Sequence, residues 1–106
     1  MDRRITAQEV QAGFESGLIQ LIDADNYPYY GDGVACKIGY GTLSNWFYFA
    51  GQEGESMTAA EYLRDVPMET IVDEIVEVLD DFQHGDEADH DEWLFYRHMI
   101  DKSKED

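Results

Sequence analysis

The side chains of this sequence best suited to chemistry are carboxylates, and they are unevenly spread. Between Asp65 and Glu92 stand Asp65, Glu69, Asp73, Glu74, Glu77, Asp80, Asp81, Asp86, Glu87, Asp89, Asp91 and Glu92, half of the 24 Asp and Glu in 106 residues. No Lys or Arg falls between Arg64 and Arg97. Such a block has three chemical uses: an acid–base pair, a cage of oxygens for a divalent cation, or an anionic surface for a basic partner.

Spacing weighs against the first two. An acid–base pair needs two environments that push its pKa values apart, and an abundance of carboxylates designates no such pair. Ser16, Ser44, Ser56 and Ser103 lie in no nucleophile motif, and Gly39-Tyr40-Gly41 lacks the third glycine of a dinucleotide loop. No catalytic residue is assigned, and no enzyme is expected. An EF-hand register that places Gly85 at its sixth position puts Phe82 third, where a ligand is required, and Asp91 last, where a bidentate Glu is usual. Asp86, Asp89 and Asp91 are left as a loose divalent-cation site at most. His84, His90 and His98 do not follow zinc spacing, and Cys36 is distant in sequence. No metal or cofactor is expected.

The third use has a pattern behind it. From Met68 to Phe82, Ile71, Ile75, Val78 and Phe82 recur at spacings of three and four, widened by Val72, Val76 and Leu79, which predicts a helix. Its other side carries Glu69, Asp73, Glu74, Glu77, Asp80 and Asp81. The pairs Glu69–Asp73, Asp73–Glu77 and Glu77–Asp81 are like-charged at i,i+4, each costing a few tenths of a kcal/mol where Glu–Lys pairs would gain as much. Glu69 to Asp81 spans roughly 18 Å of helix. The charge density is about one per 3 Å, near the one phosphate per about 3.4 Å of a nucleic-acid strand.

The remaining elements must position that helix. Thr6-Ala7-Gln8-Glu9 is a capping box with Ile5 and Val10 placed as its staple, opening a helix from Ala7 to Ser16 that stops at Gly17. Leu18–Asp23, Val34–Tyr40 and Asn45–Ala50 read as strands, the last two joined by a hairpin through Gly41–Ser44. The loop between the first two strands holds Tyr27, Tyr29 and Tyr30 beside acidic residues, a second candidate contact surface. Thr58-Ala-Ala-Glu61, with Met57 and Tyr62 as its staple, opens a short helix that Val66-Pro67 ends. Pro67 is suited to the first position of the acidic helix, and Gly85 to its end. A last helix is expected to open at an Asp89–Glu92 capping box, with Trp93, Tyr96, Arg97 and Ile100 on one side, Arg97 and His98 complementing the helix dipole and the final residues frayed.

The expectation is one α+β domain over residues 1–106: a three-stranded, mostly antiparallel sheet with an N-terminal helix and two to three C-terminal helices, packed largely on one face. Its expected core is Phe14, Leu21, Ile38, Phe47, Ile71, Ile75, Val78 and Phe82. A formal net charge of −17 with seven Lys and Arg argues against direct nucleic-acid binding and against anionic membranes. The one cysteine fits a reducing cytoplasm, and no apolar run approaches a membrane span.

In size, charge and charge layout, over about a third of the chain, the sequence resembles the nucleic-acid-mimicking inhibitors that phages and mobile elements deploy against restriction or CRISPR nucleases. No family motif is matched, so no residues carry over. The resemblance implies a binding protein, monomer or homodimer, whose acidic helix occupies the Lys/Arg groove of a basic, nucleic-acid-binding protein such as a nuclease. The expected partner-binding residues are Glu69, Asp73, Glu74, Glu77, Asp80 and Asp81, with Tyr27, Tyr29 and Tyr30. Two other readings stand beside it: an interaction module using an aromatic sheet face or the tyrosine loop, with acidity serving solubility or salt adaptation, and a weak divalent-cation binder.

Overall fold

The computed structural model describes residues 3–23, 33–50 and 58–104. Helix α1 (Ala7–Ser16) leads into three strands, β1 (Ile19–Asp23), β2 (Val34–Tyr40) and β3 (Leu43–Ala50). Three helices follow: α2 (Ala59–Asp65), α3 (Met68–Gln83) and α4 (Glu87–Lys104). The sheet order is β1-β2-β3 and both pairings are antiparallel, so this is the expected α+β architecture.

Local chemistry accounts for most element ends. The Glu9 amide donates to Thr6 Oγ1 (3.2 Å), and the Thr6 amide donates to Glu9 Oε1 (3.0 Å), completing the capping box of α1. The staple residues Ile5 and Val10 are both buried. Gly17 closes the helix at φ 84°, a left-handed conformation in which a Cβ is strained. The β2–β3 turn is tighter than expected. Tyr40 pairs with Leu43, leaving only Gly41 and Thr42 in the turn. Gly41 has φ 56° and Thr42 does not have positive φ, the pattern of a type II′ hairpin. Strand β3 therefore begins at Leu43 instead of Asn45.

Asp23, the last residue of β1, accepts from the Ala59 amide at 2.7 Å through Oδ1, and Thr58 Oγ1 accepts from the Glu61 amide at 3.1 Å. Between them they hold the start of α2 against the sheet. Val66 is extended and ends that helix; Pro67 stands just outside α3 as its cap, one position earlier than expected. Asp86, not Asp89, opens α4: its carboxylate accepts from the Asp89 amide at 2.9 Å and its carbonyl from the His90 amide. Both aspartates suit a cap, and the earlier one gives the helix another turn. At the other end Lys104 hydrogen-bonds Glu9, so α4 is ordered to its last described residue instead of fraying from Asp101.

One sheet face, bearing Ile19, Leu21, Val34, Cys36, Ile38 and Phe47, packs with the helices into a single core cluster. Its deepest side chains include Trp93, Tyr96 and Ile100 of α4 with Ile71, Ile75 and Leu79 of α3. Three residues expected in that core, Phe14, Val78 and Phe82, are only half-buried at its edge. The other sheet face carries Gln20, Ile22, Lys37, Trp46 and Tyr48, all outside the cluster.

Candidate protein-binding surface

Helix α3 buries Ile71, Val72, Ile75 and Leu79 against the core and turns its acidic side outward. Glu69, Asp73, Glu77 and Asp81 are all exposed, and none has an ion pair or side-chain hydrogen bond among the described residues. They follow one another at i,i+4, so the like-charged ladder read from the sequence is present on the surface. Its repulsions are screened by water and salt but not cancelled by an ion pair among the described residues.

The other two acidic positions of the helix have structural work. Glu74 Oε2 accepts from the Tyr62 hydroxyl at 2.7 Å, which joins α2 to α3. Burial, reinforced by that carboxylate, pushes the Tyr62 hydroxyl up to about 12. Asp80 is partly covered and lies 3.4 Å from Arg4 Nε and 3.7 Å from His84 Nδ1. The candidate surface on α3 therefore narrows from six carboxylates to four. Tyr27, Tyr29 and Tyr30 lie outside the described residues.

Five of the seven basic residues are engaged away from those four. Arg97 was expected to tip α4 and complement its dipole, but its side chain is buried beneath α1. Its Nη1 donates to Glu9 Oε1 at 3.1 Å, its Nη2 contacts Glu9 Oε2, and its Nε donates to Asp101 at 3.2 Å. Arg3 pairs with Asp101 at 3.2 Å, and Lys104 also reaches Glu9. Burial acts to raise the Glu9 carboxyl, but the hydrogen bonds from Arg97, Lys104 and Thr6 outweigh it and hold Glu9 far below the usual carboxylate range. Arg3, Arg4, Arg97 and Lys104 are thus spent around the N-terminal segment and the end of α4. Arg64 pairs with its neighbour Asp65 at 2.9 Å. None of them reaches the outer ladder of α3.

Beside the ladder the chain forms a cleft that its sequence does not announce. Val78 and Phe82 on α3, with Asp81 above them and Asp89 on the first turn of α4, line a volume of about 120 Å³. The periodicity of Val78 and Phe82 marks them as core residues, but the structure leaves both half-buried at the core's edge. Farther along α4, Glu92 is half-buried and accepts from Asn45 Nδ2 at 3.1 Å, while Asn45 Oδ1 accepts from the Trp46 amide at 2.9 Å. Burial and the nearby Asp89 charge raise the Glu92 carboxyl despite the Asn45 hydrogen bond. Among the described residues no three His, Cys, Asp or Glu side chains are grouped to hold a metal ion. Nor, among those residues, is any helix long and apolar enough to cross a membrane.

No protein-family model matches the chain, no curated protein matches it, and no solved structure matches it. Function is read from the surface alone.

Proposed function

We propose that the protein is a binding protein whose α3 ladder engages a basic groove on a nucleic-acid-binding partner, in competition with nucleic acid. One observation carries the reading: Glu69, Asp73, Glu77 and Asp81 form an exposed, like-charged row with no counter-charge among the described residues. A solvent face selected for stability would interleave cations there. The row is presented by a helix anchored along its whole inner side, so its charges are held on a firm base. The mechanism is occupancy: carboxylates stand at the Lys and Arg positions that otherwise hold phosphates, and the −17 net charge speeds encounter. A nuclease inhibitor of the kind carried by phages or mobile elements is the most specific form of this proposal.

A second reading has its own observation. The sheet face turned away from the helix core carries Ile22, Trp46 and Tyr48, all only half-buried, and could be the contact surface of an interaction module.

The immobilised chain, exposed to cell lysate, distinguishes the two. The first reading expects nucleic-acid-binding proteins to be retained, released by salt and by duplex DNA, and lost with the quadruple variant Glu69→Gln, Asp73→Asn, Glu77→Gln, Asp81→Asn. Retention of the same proteins by that variant, with loss on Trp46→Ala, Tyr48→Ala or Tyr29→Ala, would overturn the first reading in favour of the second.

A further inference from the structure

We propose that the cleft between α3 and the first turn of α4 receives a single arginine side chain of the basic partner. The inference rests on the reading of α3 as a partner surface and supplies its anchoring chemistry. At about 120 Å³ the cleft is far smaller than the roughly 300–1,000 Å³ of a small-molecule pocket, and its size suits one side chain. Its floor is apolar, made by Val78 and Phe82 one helical turn apart. Its two carboxylates come from different elements: Asp81 is exposed on α3, and Asp89 is half-buried on α4.

An apolar floor below paired carboxylates fits a cation with a long aliphatic stem. Arginine suits it better than lysine. Its guanidinium is planar, less strongly hydrated, stacks on an aromatic ring and can address two carboxylates at once, whereas ammonium is a compact, strongly hydrated point charge. Charge excludes the other occupants. A fatty acid or other anionic ligand would bring its charge against Asp81 and Asp89. A second copy of this chain carries the same −17 net charge and is repelled as it approaches the two carboxylates. No Lys or Arg lies between Arg64 and Arg97 to fill the cleft from within those elements, and neither Asp81 nor Asp89 has an ion pair among the described residues.

Local contacts constrain where Asp89 sits. The Asp89 amide bonds to Asp86 Oδ1, fixing the residue in the first turn of α4. Gly85 leaves room for its carboxylate: a Cβ built there would lie 2.5 Å from Asp89 Oδ2 and 2.7 Å from Asp89 Cβ. Any side chain at Gly85 must move the Asp89 side chain.

Isotope-labelled protein titrated with blocked hexa-arginine and hexa-lysine peptides, at about 0.15 M and at about 0.01 M salt, tests this by amide chemical shifts. At the higher salt hexa-arginine is expected to shift Val78, Asp81, Phe82 and Asp89 saturably and to show contacts between its side chain and the Phe82 ring. Asp81→Asn and Asp89→Asn should each weaken hexa-arginine by about tenfold or more, as for a lost hydrogen bond to a charged group, and change hexa-lysine little. Gly85→Ala should act in the same direction by displacing Asp89. Equal binding of the two peptides with shifts confined to Glu69–Glu77, or unchanged hexa-arginine affinity in the two Asn variants, would overturn the cleft proposal while leaving the acidic face standing. Absence of binding by both peptides even at the lower salt would remove the acidic-face reading, and this proposal with it.

Discussion

Arg97 on α4 and Glu9 on α1 are 88 residues apart in sequence, yet the Arg97 Nη1 donates to Glu9 Oε1 at 3.1 Å and both side chains are more than nine-tenths shielded from water. The Arg97 Nη1 also lies 3.4 Å from the Arg4 carbonyl and 3.5 Å from that of Arg3. The same Glu9 carboxylate completes the capping box of α1. One acidic side chain thus starts the first helix and receives the last one. This arrangement gathers cations at one end of a strongly acidic molecule and, among the described residues, leaves the α3 ladder without an ion pair.

Breaking that contact from either side should cost much more than a surface ion pair. Glu9→Gln leaves a buried guanidinium short of its counter-charge, and Arg97→Gln does the same to a largely buried carboxylate. Loss of one partner of a buried pair costs about 3–5 kcal/mol, a large part of a total stability of about 5–15 kcal/mol. Urea unfolding should show a midpoint lowered accordingly in each single variant. The double variant should lose less than the sum of the two, which a double-mutant cycle measures. Arg64→Gln, whose partner Asp65 is exposed, should leave the midpoint nearly unchanged.

Acid should act in two opposite directions. Glu92 is raised by burial, so its protonated form suits the fold; the strain of its charge is relieved as pH falls through its folded pKa. Glu9 is depressed, so its contribution is complete above the ordinary glutamate value of 4.5 and is lost as pH falls below it toward the folded pKa. Urea midpoints measured across pH should therefore rise slightly as pH falls through the folded pKa of Glu92, which lies above 4.5, and then fall on acidification below 4.5. Glu92→Gln should flatten the first limb, and Glu9→Gln should weaken the second. A midpoint that declines steadily from pH 7 in the unmodified protein would contradict the placement of Glu92.

The features legible in the sequence are those whose partners are near in the chain. Thr6 and Glu9 are three residues apart, Val34–Tyr40 alternates at period two, and Ile71 and Ile75 repeat at helical spacing. Each therefore appears in the structure much as read. The division of labour among the acids was not legible. Glu74 and Asp80 stand at the same kind of position as Asp73 and Glu77, and they differ only because Tyr62 and Arg4 arrive by tertiary folding. Arg97 looked like a helix-end cation for the same reason: its partner Glu9 belongs to the other end of the chain. The Asp89–Glu92 capping box was misplaced: the Asp86 carboxylate accepts from the Asp89 amide and opens α4 three residues earlier.

The Tyr62–Glu74 hydrogen bond gives a test of that division. Tyr62→Phe keeps the ring, which packs edge-to-face on Phe49 at 5.7 Å, and removes only the hydroxyl. Loss of a hydrogen bond to a charged acceptor should cost about 1.5–3 kcal/mol, toward the lower figure because the exposed carboxylate regains water. In the unmodified protein the Tyr62 hydroxyl should resist ionisation to about pH 12, so Tyr62→Phe should diminish the delayed component of an ultraviolet titration, to which buried Tyr96 also contributes. If Glu74 instead belongs to the partner surface, Tyr62→Phe would leave stability unchanged.

The ladder itself makes the sharpest stability prediction, because most charge removals near a structured helix destabilise and this one should not. Glu69, Asp73, Glu77 and Asp81 make three successive i,i+4 repulsions and no compensating contact among the described residues. Changing all four to Gln or Asn should stabilise the protein by about 1 kcal/mol, at a few tenths per relieved pair. The gain should shrink at high salt, since the ions of the solvent then screen the same repulsions. Substituting Asp80 for Asp81 in the set should lessen the gain, because Asp80 lies 3.4 Å from Arg4 Nε and the change removes an attraction. Paired urea titrations of the two quadruple variants, at low and high salt, measure all of this without any partner. A loss of stability on neutralising Glu69, Asp73, Glu77 and Asp81 would mean that these carboxylates support the fold, and the reason for assigning them to a partner would be gone.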